Sequence, residues 1–323
     1  MARGNQGRAI FRDDQDCRCF LDTVGEACEK TGWWIHAYVL MGNHYHLLVE
    51  TPDGNLVAGM KWLQGTYTQR FNSRHGVFGH VYQGRYKAVV IDASSPGYFE
   101  AVASYIHLNP ARAGLIQIGR EPLKRYRWSS YPWYLTRAGQ GPSWLRRERV
   151  LAGLGLKETE RKRYAAYLES RVLELGLKEG RQELEAKWKA LRRGWYVGGE
   201  SFFEELKGRL GALVAGKRRE SHSGGAKRAH GEAPAEALLK VGLAALGLGA
   251  PELRELPYGA PEKTALAWWL RERTTVSLRW VSQTLVMGHY TRVSQAVSRM
   301  KRGPARKFEK LKRQLLQTEK KDV

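Results

Sequence analysis

Residues 33–50, WWIHAYVLMGNHYHLLVE, constrain the fold more than any other stretch of the chain. Aromatic and β-branched residues fill both halves of this stretch, and the Gly42-Asn43 pair between them is typical of a turn, so the sequence predicts a β-hairpin. Side chains alternate across a strand, which places His44 and His46 on the same face. Two neighbouring imidazoles can bind one divalent cation, although two solvated histidines on an edge strand would leave the same pattern.

The segments before and after this hairpin in the sequence have apolar residues at helical spacing. The pattern predicts helices over 13–30 and 55–76, a further strand over 80–92, and a third helix with Ser95 as its N-cap and Pro96 at its first position. The combination of helices with antiparallel strands indicates an α+β fold in which the helices pack on the sheet.

The balance of charges indicates a polyanionic partner. The 323 residues include 54 Lys and Arg against 32 Asp and Glu, a formal charge of +22, which exceeds what solubility requires and favours nucleic acid. No stretch approaches the roughly 20 continuous apolar residues of a membrane-spanning helix, and the N-terminus lacks the apolar core of a signal peptide. We therefore expect a cytoplasmic, nucleoid-associated protein with no membrane partner.

A candidate reaction centre combines residues that are far apart in the sequence. Tyr105 and Asn109 are four residues apart on the third predicted helix and share one face. A metal held by His44, His46 and the side-chain oxygen of Asn109 would lie beside the Tyr105 hydroxyl, which suits in-line attack of the tyrosine on a DNA phosphate. The expected product is a 5′-phosphotyrosine, which preserves the phosphoester energy and needs no nucleotide cofactor. Mg²⁺ or Mn²⁺ suits these ligands, whereas the alternative is that Tyr105 is an ordinary core tyrosine.

Five motifs occur in order within residues 3–135, namely LMGNHYHLLVET, WLQGTYTQRFNSRHG, GHVYQGRYKAVVID, YIHLNPARAGL and YRWSSY. Together they resemble the REP-associated tyrosine transposases, a branch of the single-tyrosine HUH transposases. The resemblance implies a ferredoxin-like HUH nuclease domain that cleaves and rejoins single-stranded DNA at palindromic, hairpin-forming elements. It assigns His44 and His46 to the HUH metal positions, Tyr105 to the nucleophile and Asn109 to the additional ligand.

One departure from this family's pattern concerns the first strand. In the family a strand precedes the Arg-Gly-Asn segment, whereas here Arg3-Gly4-Asn5 follows Met1 almost directly, so we expect the central first strand to be missing. Its loss would leave unpaired backbone groups beside the metal site. Either the true start lies upstream, or the alternative function applies, in which a truncated and inactive derivative binds DNA sequence-specifically without cutting it.

The C-terminal half of the sequence predicts helices almost throughout. Within 262–302, a helix capped by Ser277, a turn at Gly288 and a second helix capped by Thr291 form a helix-turn-helix pattern. The pattern is typical of duplex DNA binding, although an ordinary helical hairpin would share it. Candidates for DNA contacts are Arg292, Ser294, Gln295 and Arg299 on the second helix, and Arg74, Arg85, Lys87 and Arg112 near the N-terminal motifs.

The sequence divides the chain into five parts. These are a HUH transposase domain (1–135), a charged helical extension (136–216), a basic flexible linker (217–235), an all-α region with the helix-turn-helix (236–302) and a basic tail (303–323). We expect single-stranded and hairpin DNA as partners of the first part and duplex DNA as the partner of the fourth. The tail is expected to add nonspecific phosphate affinity that falls with salt.

Overall fold

The computed structural model describes residues 1–137, 139–189, 196–214, 225–302 and 306–318. Within it the chain divides into two compact units, one formed by residues 1–52 and 63–217 and the other by residues 53–62 and 218–323. The first unit combines helices with a small antiparallel sheet, and the second is helical where the structure describes it. The predicted combination of an antiparallel sheet with helices is therefore confirmed.

The sheet of the first unit consists of β1 (Ala2–Arg3), β2 (Trp34–Met41) and β3 (His44–Glu50), in the order β1-β3-β2. Strands β2 and β3 form the predicted antiparallel hairpin, in which Met41 pairs with His44 across the two-residue turn. Every residue of β2 after Trp34 is buried, because its aromatic and aliphatic side chains pack on both faces of the sheet.

The first strand, expected from the sequence to be missing, is present as the two-residue β1. Arg3 of β1 pairs with His44 of β3. On the opposite side of β1, the N–H of Gln83 donates to the Arg3 carbonyl at 2.9 Å, and Gly4 forms a bridge with Tyr82. The first residues of the chain therefore lie between β3 and the stretch around Gln83, and they pair with backbone groups that we expected to be left open.

The predicted strand over 80–92 is wrong for most of its length. Only β4 (Val90–Ile91) has strand structure, and it pairs in parallel with β5 (Tyr196–Val197). Gly79 and Gly84 have φ angles of 95° and 85°, which belong to the left-handed region that favours glycine. The backbone therefore turns within this segment, where the apolar pattern alone predicted an extended chain.

Three predicted helices occur close to their predicted bounds, as α1 (Asp14–Thr31), α2 (Leu56–His75) and α3 (Pro96–His107). The carboxylate of Asp13 accepts hydrogen bonds from the N–H groups of Gln15 and Asp16 and so caps α1, and Gly32, with a φ of 67°, ends it. After α3, one further helical turn forms α4 (Asn109–Arg112), in which Pro110 occupies the first turn. The interruption before Pro110 is expected, because proline disfavours helical geometry at the preceding residue.

Helices after residue 135 share the core of the first unit, although we predicted a separate charged extension over 136–216. The chain there forms α6 (Glu148–Ala152), α7 (Arg161–Gly176), α8 (Lys178–Lys187) and α9 (Glu200–Val214), which follow the short α5 (Tyr131–Tyr134), and α6, α7 and α8 contribute side chains to the core. One core joins Val39 of β2 to Leu168 of α7 and to Trp188 just after α8. The buried ring of His107 bonds to the Tyr164 hydroxyl of α7 at 2.9 Å. The predicted boundary at 135 is therefore not a boundary of the core.

Residues 218–323 contain six described helices, α10 (Gly225–Leu246), α11 (Ala250–Glu255), α12 (Pro261–Arg273), α13 (Leu278–Thr284), α14 (Tyr290–Lys301) and α15 (Arg306–Gln317). Helix α12 contributes Trp268 and Trp269 to a core that also contains Val281 of α13, Val293 of α14 and Leu315 of α15. The second unit thus has a hydrophobic core of its own.

The prediction of a flexible linker before this region is corrected in part. Residues 225–235 of the predicted flexible linker are helical in α10, whose Ala- and Leu-rich sequence favours a helix, and residues 217–224 lie outside the described residues. Within the predicted basic tail, α15 buries Leu315 completely, so this part of the tail packs on the unit. No helix in the described part of the chain combines the length and the apolarity needed to cross a membrane.

Candidate active site

Three of the predicted site residues lie together on the sheet of the first unit. His44 and His46 project from the same face of β3, with ring centroids 5.3 Å apart and planes inclined at 80°. Helix α3 packs against β2 and β3 and carries Tyr105, whose ring centroid lies 5.5 Å from that of His46 at 81°. The strand alternation predicted from the sequence and the packing of α3 therefore bring two imidazoles beside one tyrosine.

A hydrogen bond fixes the orientation and the tautomer of His44. The Asn43 amide nitrogen donates to the Gly7 carbonyl at 3.1 Å, which directs the amide oxygen towards His44, where it lies 2.7 Å from Nδ1. An amide oxygen only accepts hydrogen bonds, so Nδ1 of His44 carries the proton and Nε2 keeps a free lone pair. A metal ligand has this arrangement, in which the second nitrogen is oriented by a neighbouring acceptor.

Burial keeps both imidazoles neutral. It lowers the pKa of His44, with a further contribution from the positive charge of Arg3, and it lowers the pKa of His46 well below its usual range. Among the described residues, neither ring nitrogen of His46 has a hydrogen-bonding partner. Two neutral imidazoles with uncommitted nitrogens are suitable ligands for a divalent transition metal.

The predicted third ligand, Asn109, is directed elsewhere. Its side-chain nitrogen donates to the carbonyl of Tyr105 at 2.8 Å, one of the last carbonyls of α3 that lack a helical partner. Its side-chain oxygen accepts a hydrogen bond from Arg112 at 3.2 Å. No group of three or more His, Cys, Asp or Glu side chains that could hold a metal occurs in the described part of the chain. The structure therefore brings two imidazoles together as candidate metal ligands and directs the oxygen of Asn109 to Arg112.

The hydroxyl of Tyr105 differs from those of the core tyrosines. Tyr126 donates to the Leu40 carbonyl at 2.5 Å and Tyr134 to the His36 carbonyl at 2.6 Å, as buried hydroxyls normally do. Tyr105 is 8 % exposed, and its hydroxyl has no hydrogen-bonding partner among the described residues. Its hydroxyl is not fully buried, unlike the unpartnered hydroxyl of Tyr82, so a small group can reach it.

The site also contains two residues, Trp188 and Glu185, that the sequence analysis missed. Trp188 meets the Tyr105 ring edge-on, with centroids 5.6 Å apart, and the guanidinium of Arg112 lies 4.9 Å from the Tyr105 centroid and 5.1 Å from that of Trp188. Glu185 accepts a hydrogen bond from Nε of Arg112 at 2.9 Å. Leu184 and Trp188 recur at helical spacing in a charged segment, which indicates a packed helix but not what it packs against.

The predicted phosphate contacts have different surroundings. Arg85 and Lys87 are exposed, on the stretch that pairs with the first residues of the chain. Arg74, in contrast, pairs with Asp13 at 2.6 Å and also with the buried Asp16, which links the end of α2 to the start of α1. The hydrogen bond from Arg74 lowers the pKa of Asp13 to about 2. Arg74 is therefore a structural ion-pair residue, and we withdraw it as a DNA contact.

In the second unit, the predicted DNA contacts share an exposed face. On α14, the side chains of Val293, Ala296 and Met300 are buried. The opposite face exposes Arg292, Ser294, Gln295 and Arg299, and Arg292 also lies over the ring of Tyr258 at 5.1 Å. The N-cap of this helix is His289, whose ring accepts from the Thr291 N–H, and not Thr291 as predicted, whereas Ser277 caps α13 as predicted.

A buried lysine holds the turn between α13 and α14. Lys263 is fully buried, and its ammonium donates to the carbonyls of Leu256 at 2.8 Å and Val286 at 3.0 Å. Val286 has a φ of 50°, an uncommon conformation for a β-branched residue. The two hydrogen bonds of Lys263 therefore fix the backbone of the turn that positions α14.

A comparison with known protein families finds a match for the N-terminal segment of the chain. Residues 3–109, roughly one third of the chain, match the family described as transposase IS200 like. No curated protein and no solved structure gives a significant match. The matched segment includes His44, His46, Tyr105 and Asn109, and its similarity to this family supports a DNA transposase that binds and recombines DNA as the class of protein.

Proposed function

We propose that the first unit cleaves and rejoins single-stranded DNA through a covalent bond between Tyr105 and a 5′ phosphate. The observation that carries this proposal is the pair of neutral imidazoles, His44 and His46, beside a tyrosine hydroxyl that has no described protein partner. The core tyrosines Tyr126 and Tyr134, in contrast, donate their hydroxyls to backbone carbonyls. The similarity to IS200-like transposases gives independent support for DNA as the substrate.

In this reaction the oxygen of Tyr105 attacks phosphorus in line with the bond to the 3′ oxygen. The Tyr105–phosphorus bond forms as the bond to the 3′ oxygen breaks. The Tyr105 hydroxyl gives up one proton and the leaving 3′ oxygen takes up one, so that a 3′ hydroxyl is released and the protons balance. A bound Mg²⁺ or Mn²⁺ would be held by His44 and His46, and it would supply charge neutralisation at a non-bridging phosphate oxygen. Attack by a 3′ hydroxyl on the phosphotyrosine reverses the step, so no nucleotide cofactor is required.

The proposed substrate is a palindromic DNA element that folds into a hairpin, as for the REP-associated transposases that the motifs resemble. Arg85 and Lys87 support a path for the strand beside the sheet, because both are exposed and cationic. The exposed face of α14, backed by its own core, supports a helix-turn-helix that binds duplex DNA through Arg292, Ser294 and Gln295. A ferredoxin-like HUH fold and a nucleoid location are part of the same proposal.

A denaturing gel tests the covalent step. Labelled single-stranded hairpins from the DNA that flanks the gene are incubated with the full chain and Mn²⁺ or Mg²⁺, with and without a chelator. We expect a metal-dependent protein–DNA adduct that is lost in Tyr105→Phe. Tyr98→Phe is the matched control, because Tyr98 lies on the same helix and is expected to leave the adduct unchanged. An adduct of wild-type yield in Tyr105→Phe would contradict the assignment.

A second candidate function is sequence-specific DNA binding without cleavage. The exposed polar face of α14 favours it, because that face requires nothing from Tyr105 or the histidines. Tight binding of the hairpins without an adduct under any metal condition would support this function and overturn the first.

A further inference from the structure

Helix α8 and the residue after it enclose the proposed nucleophile. Trp188 is 4 % exposed and packs edge-on against Tyr105, which is itself 8 % exposed. Leu184 of the same helix is buried in the core that contains both rings. A phosphodiester carries bulky sugars on both sides, so we expect this cover over the Tyr105 ring to restrict the approach of a DNA phosphate, and movement of α8 to ease it.

The cover is joined to the site by an ion pair with Arg112. Nε of Arg112 donates to Oε1 of Glu185 at 2.9 Å, and a terminal nitrogen lies 2.8 Å from the same oxygen. The other terminal nitrogen donates to the oxygen of Asn109 at 3.2 Å. A guanidinium binds carboxylates and phosphates with the same donor geometry. The carboxylate of Glu185 thus takes the position in which Arg112 would bind a phosphate.

We propose that Glu185 is an internal substitute for a DNA phosphate, which holds Arg112 and keeps α8 closed over Tyr105 until the phosphate of a bound strand displaces it. This inference rests on the proposed function, since it concerns the same site. Displacement frees Arg112 to bind the phosphate, frees the oxygen of Asn109 and lets Trp188 leave the Tyr105 ring. Glu185 is a positioning residue that never touches the DNA.

The balance of interactions supports such an exchange. The Arg112–Glu185 pair is partly open to solvent, with side-chain exposures of 14 % and 30 %, and a pair of this kind contributes little to stability. A DNA strand offers several phosphates, and the exposed Arg85 and Lys87 attract it before Arg112 is reached. The ion pair is therefore the part of the closed arrangement that a phosphate can replace at small cost, whereas the burial of Leu184 and Trp188 favours the closed state.

Binding of single-stranded DNA tests the exchange independently of cleavage. A labelled oligonucleotide is titrated with full-length chains that carry Tyr105→Phe, so that no covalent step contributes. We expect Glu185→Gln to bind about tenfold more tightly, because the competing charge on Arg112 is removed. The matched control is Glu183→Gln, which removes the same charge from an exposed position on the same helix and should change the affinity by less than about twofold.

Coupling to Arg112 separates the proposal from a general charge effect. In chains that also carry Arg112→Gln, the gain from Glu185→Gln should disappear. An equal gain in Glu183→Gln and Glu185→Gln, or a gain that persists without Arg112, would overturn the proposal.

Hydrogen exchange of α8 provides a second measurement that does not depend on a substitution. In the Tyr105→Phe chain we expect the amides of residues 181–188 to be protected without DNA and to exchange faster when the oligonucleotide is bound. Unchanged or increased protection on binding would mean that α8 stays closed and would contradict the proposal.

The outcomes also separate this inference from the proposed function. If Glu185→Gln binds DNA more tightly and no chain forms an adduct, the result supports the exchange at Arg112 and contradicts the phosphotyrosine chemistry. If wild type and Glu185→Gln form the adduct at equal rates and bind DNA with equal affinity, the result supports the phosphotyrosine chemistry and contradicts the role proposed for Glu185.

Discussion

The two units present their candidate DNA-binding residues in opposite ways. In the first unit, His46, Tyr105 and Asn109 are 9 %, 8 % and 6 % exposed, enclosed between the sheet, α3 and α8. In the second unit, Arg292 and Gln295 are exposed on a helix whose other face is buried. Chemistry at a phosphate requires neutral ligands and a positioned nucleophile, which burial supplies, whereas recognition of a groove requires a face that is open before the partner arrives. The buried site residues of the first unit and the exposed face of the second unit therefore differ in how readily DNA can reach them.

The largest effect is expected from the loss of an imidazole. His46→Ala should reduce metal-dependent cleavage by more than about a hundredfold, because it removes one of the two proposed metal ligands. Binding of duplex DNA by the second unit should not change. His80→Ala is the control, since His80 is exposed and outside the site. Cleavage by His46→Ala at the rate of the control would contradict the two-imidazole site.

Lowering the pH should reduce the free energy of unfolding of the first unit more than that of the second unit. Burial lowers the pKa of His36 and His46 and lowers that of His107 to about 3, so these rings take up protons at lower pH in the folded first unit than in the unfolded chain. In the unfolded chain they take up protons near pH 6.5, so stability falls as the pH drops from about 6.5 towards the folded pKa, by at most about 1.4 kcal/mol per pH unit for each ring.

The second unit lacks a buried histidine among its described side chains, where His289 is exposed. Pulse proteolysis in urea at pH 7 and pH 5 should therefore show a larger loss of stability in the first unit. Equal losses in both units would contradict this difference.

A smaller effect is expected on α14. Arg292→Ala should weaken binding of duplex DNA by about 1–3 kcal/mol while leaving cleavage of single strands unchanged. Arg313→Ala on α15 is the control, because Arg313 pairs with Glu309 on an exposed surface. Fluorescence anisotropy with duplex DNA measures both variants. Equal affinity of wild type and Arg292→Ala for duplex DNA would contradict a role of Arg292 on α14 in duplex binding.

The smallest effect is expected from the residue that orients His44. Asn43→Ala removes the acceptor that fixes the proton on Nδ1, and we expect about tenfold weaker Mn²⁺ binding by calorimetry. Asn72→Ala removes a comparable side-chain bond, to the Gly79 carbonyl, away from the site and should not alter metal affinity. If both variants bind Mn²⁺ like wild type, Asn43 does not position the imidazole.

Local signals explain which parts of the fold were predictable. The Gly42-Asn43 turn, the Asp13 cap and Pro96 fixed the hairpin and the helices through contacts within a few residues. The strand predicted over 80–92 was wrong because Gly84 turns the backbone, which a count of apolar residues does not reveal.

Tertiary packing explains what the sequence analysis missed at the site. His44, His46 and Tyr105 were found because a strand face and the motifs point to them. Trp188 reaches Tyr105, and Glu185 reaches Arg112, only through the packing of α8, which is about 80 residues from Tyr105 in sequence, and no local pattern encodes these contacts.

Mass spectrometry of the DNA-linked residue can show directly whether Tyr105 forms the covalent bond to DNA. The full chain is incubated with Mn²⁺ and a hairpin oligonucleotide, digested with protease and nuclease, and the nucleotide-bearing peptide is fragmented by mass spectrometry. We expect a nucleotide attached to Tyr105, within the segment that also contains Tyr98. A nucleotide attached to Tyr98 or to any residue other than Tyr105 would contradict it.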